Sequence, residues 1–116
     1  MHLKYKVEFY QAADGSFPVQ DYIFEGNDEK KVALMIAVIQ RLEALGPELR
    51  ATNMDKLIDG PIGELRKERH RILYGRDGED YILLSAFLKR THKTPLEQIE
   101  LAKKRFHEHM QKKKYN

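Results

Sequence analysis

Residues 63–95 read GELRKERHRILYGRDGEDYILLSAFLKRTHKTP, and the reading of this stretch decides the fold. Leu65, Ile72, Leu73, Tyr81, Ile82, Leu83, Leu84 and Phe87 are strand formers, and two polar tetrads interrupt them. Lys67-Glu68-Arg69-His70 and Asp77-Gly78-Glu79-Asp80 are turn chemistry. The stretch therefore predicts three antiparallel strands, over Ile62–Lys67, Arg71–Arg76 and Tyr81–Lys89. The third is apolar almost throughout, which predicts a central strand covered on both faces. Arg66, Arg69, Arg71, Arg76, Lys89, Arg90 and Lys93 load the same stretch with positive charge.

Outward from it, Thr94-Pro95-Leu96-Glu97 has the form of a capping box with proline at the first helical position. Leu96, Ile99, Ala102, Phe106 and Met110 then recur at helical spacing, opposite a basic face of Lys103, Lys104, Arg105 and His107. On the other side, residues 49–59 form a less regular connector with a helical turn. Before it, Asn27 is expected to cap a helix that ends at Gly46-Pro47. A short helix opens at Pro18, and Lys4–Tyr10 alternates as a half-buried strand. The order predicts one α+β domain over residues 1–116: a mainly antiparallel four-stranded sheet, two helices inserted after the first strand, a C-terminal helix, and the helices on one face.

Composition narrows the chemistry. The chain has 116 residues, no cysteine and a net charge of +3. Disulfides, thiolate metal sites and cysteine nucleophiles are excluded, and a cytoplasmic setting is expected. No apolar run is long enough to span a bilayer. The charge is segregated. Residues 1–63 hold seven Lys/Arg against ten Asp/Glu, whereas residues 64–116 hold fourteen against eight. Such asymmetry favours an encounter with a polyanion or an acidic partner. There is no glycine-rich phosphate loop and no GxSxG. His107 and His109 are two apart on a helix and point to different faces, which argues against a metal.

The basic residues of the hairpin remain. A four-residue turn makes Arg66 and Arg71 direct neighbours across two strands, and like charges so placed repel. Two readings relieve this: a bound anion, or an internal lattice with Glu64, which shares the face of Arg66. Tyr74 has the opposite parity to Arg71, so only a bulge or an edge position would bring them to one site.

Gly63-x-Leu65-Arg66, Arg71-Ile72-Leu73-Tyr74 and Ile82-Leu83-Leu84-x-x-Phe87-x-Lys89-x-Thr91-x-Lys93-Thr94-Pro95, with Glu97 and Ala102, resemble the phage-derived, HigB-like branch of the RelE toxin superfamily. The likeness covers most of the chain. It implies a type II toxin–antitoxin toxin, an endoribonuclease that cuts mRNA on the ribosome without metal or other cofactor. It also implies a cognate antitoxin with a helix-turn-helix domain. By resemblance Arg66, Arg71, Tyr74 and Lys89 are the catalytic positions. Arg69, Arg90, Lys93, Lys103 and Lys104 are then RNA contacts. His70 and His92 are passed over as turn residues. Two other readings fit the same charges: a non-catalytic nucleic-acid-binding module, or an inactive toxin relative that acts through its antitoxin.

Overall fold

The computed structural model describes residues 4–115. Its elements are β1 (Lys6–Phe9), α1 (Pro18–Phe24), α2 (Glu29–Leu45), a 3-10 helix (Gly46–Ala51), β2 (Asp55–Asp59), β3 (Ile62–Lys67), β4 (His70–Asp77), β5 (Asp80–Leu88) and α3 (Leu96–Tyr115). The sheet order is β1-β5-β4-β3-β2, with β1 parallel to β5 and every other pair antiparallel.

The sheet has five strands rather than the expected four. The additional one, β2, lies in the stretch read as a connector. Its pattern is disguised because Asp55, a polar residue, points into the core. Its Oδ1 there accepts a hydrogen bond from the Tyr74 hydroxyl at 2.8 Å. The ring of Tyr74 reaches Asp55 by lying across Gly63 on β3, where any Cβ would collide with it. Glycine at 63 is thus the condition for this cross-sheet bond.

Helices cover both faces, not one. On one side Met35, Val38, Ile39 and Leu42 of α2, with Val19 and Ile23 of α1, pack on Leu65, Ile72, Tyr74, Tyr81 and Leu83. On the other, Ala102, Ile99 and Phe106 of α3 pack on Ile62, Leu73, Ile82, Leu84 and Phe87. The alternation of strand side chains explains the split, and β5 is buried on both faces as its composition predicts. Phe106 lies against Gly75, which leaves no room for a side chain there.

Two caps also differ from expectation. Asp28, not Asn27, caps α2, accepting from the backbone of Lys31 at 2.9 Å. Asn27 instead donates to the Tyr22 and Ile23 carbonyls at the end of α1. Thr94 gives its hydroxyl to the Glu64 carboxylate on β3. The segment after β5 therefore passes over β4 before α3 begins. Among the described residues no helix is long and apolar enough to cross a membrane.

Candidate nucleic-acid interface

The β3–β4 turn lies at one end of the sheet, between two interior strands. Lys67 pairs with His70 and Arg66 with Arg71, the juxtaposition that the turn length predicts. Glu64, on the same face, has no solvent exposure. Its Oε1 accepts from Arg66 Nε at 2.8 Å and lies 3.7 Å from Arg71 Nε. Its Oε2 takes the Thr94 hydroxyl. The internal lattice is therefore present, and one carboxylate holds two arginines and the loop that leads to α3. Two guanidiniums against one carboxylate still leave an excess positive charge.

Arg71 is nearly enclosed. Its Nη1 donates to the Glu68 and His70 carbonyls at 2.7 and 2.9 Å, which closes the turn from inside. Burial pushes its pKa below the ordinary arginine value, against the pull of Glu64. Arg66 is more open. The two arginines line a cleft of about 380 Å³ with Asn53, Met54, Lys67 and Glu68.

A second cleft, of about 450 Å³, lies beside the same turn and is lined by Arg69, Lys89, Arg90, Thr91 and His92. The Lys89 backbone N–H bonds the Arg69 carbonyl at 2.7 Å and so fixes the end of β5 to the turn. Among the described residues Arg69, Lys89, Arg90 and Lys93 make no ion pair with any carboxylate.

The other expected site residues are elsewhere. Tyr74 is 1% exposed and on the α2 face, away from Arg71. A register shift does occur between β4 and β5, where Leu73 pairs with Ser85 and Tyr74 with Leu83. The extra residue belongs to β5, however, so β4 alternates without interruption and the two side chains stay apart. Leu84 and Ser85 both face α3 there, Leu84 in its core and Ser85 bonded to Gln98. The Tyr74 hydroxyl, bonded to Asp55 and 3.4 Å from Arg50 Nη2, has its pKa raised far above normal, chiefly by burial. Lys103 is paired with Asp59 at 2.7 Å, at the opposite end of β3 from Arg66, and Lys104 is exposed next to it. Neither joins the basic clefts.

His70 faces α1, where its Nδ1 and the Tyr22 hydroxyl share a hydrogen bond of 2.8 Å. Burial, then the nearby Lys31, lower its pKa. The folded state therefore binds its proton less readily than the unfolded chain. Stability is full above the unfolded value of about 6.5 and is lost as pH falls below it. In His70→Phe the drop in Tm between pH 7 and pH 5 is expected to be smaller than in the wild type, as thermal melts at both pH values would register.

A two-helix insertion, a sheet led by a parallel strand and a basic hairpin turn define a small α+β protein with a cationic end. Residues 23–107 match the family described as phage derived protein Gp49-like (DUF891), and the chain belongs to that family, a toxin-like member of the RelE superfamily. Membership implies an antitoxin partner. Among curated proteins there is no match.

Proposed function

We propose that this protein, acting as a single domain, is the toxin of a type II toxin–antitoxin pair on the HigB-like branch, a cytoplasmic endoribonuclease that cuts mRNA held in the ribosome. The observation that carries the reading is the set of cations beside the turn, where Arg69, Lys89 and Arg90 line one cleft next to that of Arg66 and Arg71 and, among the described residues, pair with no carboxylate. RNA cleavage builds negative charge on the phosphate oxygens, and fixed guanidinium and ammonium groups stabilise it. Arg66 contacts the reacting phosphate, with Arg71 holding the turn behind it. Lys89, Arg69, Arg90 and Lys93 carry the flanking backbone. Tyr74 supports β4 from the far face, and Lys103 and Lys104 contribute at most long-range attraction. The antitoxin, with its helix-turn-helix domain, neutralises this surface.

A stacking module is less well supported. The aromatic residues it would use, Tyr74, Tyr81 and Phe87, are 1%, 0% and 9% exposed.

The test is regulated expression with and without the neighbouring gene, followed by mapping of mRNA 5′ ends on translating ribosomes. Growth arrest and new ends are expected from the wild type. Lys89→Ala should cut about tenfold to 100-fold more slowly, at a Tm near that of the wild type. Arrest without new ends would refute cleavage.

A further inference from the structure

Resting on that reading, we infer that Glu68 is the general base of the cleavage, taking the proton of the attacking 2′-hydroxyl. Three observations meet at this residue. Glu68 is the one non-glycine residue among those described with a positive φ, 54°. It occupies the first loop position of a two-residue hairpin turn, where glycine is the favoured residue. Keeping a glutamate there strains the backbone, and such strain is held where the side chain is needed. The turn is also braced, since Arg71 Nη1 donates to the Glu68 carbonyl at 2.7 Å.

The second observation is location. Glu68 lines the cleft of Arg66 and Arg71, and its carboxylate makes no ion pair within 4.0 Å among the described residues. The third is what else is available. Glu64 is fully enclosed, Tyr74 is on the opposite face, and His70 turns its Nδ1 to Tyr22 under α1. Within the arginine cleft Glu68 is the accessible group that can accept a proton.

The charged groups that share its cleft are Arg66 and Lys67 from β3 and Arg71 from β4, with uncharged Asn53 and Met54 beside them, while Arg69 follows it in the turn and His70 lies near enough to feel its charge. Lys31 of α2 acts on His70 behind them, and Lys89 is joined to Arg69 through the backbone. In the step, the Glu68 carboxylate takes the 2′-hydroxyl proton and the 2′-oxygen forms a bond to phosphorus. The bond from phosphorus to the 5′-oxygen breaks, its electron pair leaves with that oxygen, and water supplies the proton there. Glu68 returns its proton to solvent, which balances the hydroxide. The products are a 2′,3′-cyclic phosphate and a 5′-hydroxyl.

Wild type, Glu68→Gln and Glu68→Gly are compared in single-turnover cleavage on ribosomes programmed with one mRNA, alongside thermal melts. Both variants should lose about 100-fold in kcat with KM little changed. Glu68→Gly should melt a few degrees higher, because the strain is relieved while the activity falls. Wild-type rates in Glu68→Gly would reduce the residue to a turn former and overturn the assignment. Wild-type kcat with altered cut sites in Glu68→Gln would overturn it in favour of base reading. No cleavage by the wild type would overturn the ribonuclease reading, and the role of Glu68 with it.

Discussion

Arg66→Ala is expected to lower mRNA cleavage by about 100- to 1000-fold while the protein stays folded, if the arginine stabilises the phosphorane as proposed. The structure makes this a clean substitution. Arg66 is partly open to the cleft, and its contact with Glu64 is one of several that Glu64 makes. Losing it should change stability by about 1 kcal/mol. Arg66→Lys should recover part of the rate, since it keeps the charge and loses the planar fork. Arg71→Ala is a poorer probe. That guanidinium also closes the β3–β4 turn through the Glu68 and His70 carbonyls, so lost activity would mix chemistry with structure. The comparison is made by single-turnover cleavage and melts on the same preparations. Wild-type rates in Arg66→Ala would remove the arginine from the reaction.

Glu64→Ala should be the most destabilising single change at the site, by about 3–5 kcal/mol. The magnitude follows from what is left behind: Arg71, 8% exposed, beside Arg66 on the neighbouring strand with no carboxylate between them. The Thr94 hydroxyl also loses its acceptor, which frees the segment before α3. Against a total stability of about 5–15 kcal/mol for a domain of this size, that is a large share. Glu64→Gln preserves an acceptor for Arg66 and Thr94 and should cost less, about 1–3 kcal/mol. Urea unfolding of the three proteins checks the order. Equal midpoints for Glu64→Ala and the wild type would mean that the two arginines tolerate each other unaided.

The parts of this arrangement that follow local rules were legible in the sequence. Turn length alone made Arg66 and Arg71 opposite, and parity put Glu64 beside Arg66 and Tyr74 away from Arg71. The unbroken apolar run of Tyr81–Leu88 announced a strand covered twice. What stayed hidden depends on partners distant in the chain. Asp55 looks like a surface residue until the Tyr74 hydroxyl arrives from β4, so β2 passes for a loop. Thr94 has the form of a cap, yet a buried carboxylate thirty residues earlier is the stronger acceptor for its hydroxyl. The sign of φ at Glu68 leaves no mark in composition, because glutamate is not a residue that signals a left-handed turn. Lys103 and Lys104 looked like part of one basic surface, but α3 carries them to the other end of β3.

The parallel pairing of β1 with β5 also sets a clock on biosynthesis. Lys6 pairs with Asp80, so the first strand waits for 74 further residues before its neighbour exists. At about 5–20 residues per second that interval is roughly 4–15 s, during which β5 cannot yet fill the middle of the sheet. The basic turn emerges before the strand that supports it, and Thr94, which locks the turn to α3, emerges later still. The arrangement of Glu64, Arg66 and Arg71 held by Thr94 is therefore complete only once residues 64–94 have all been made.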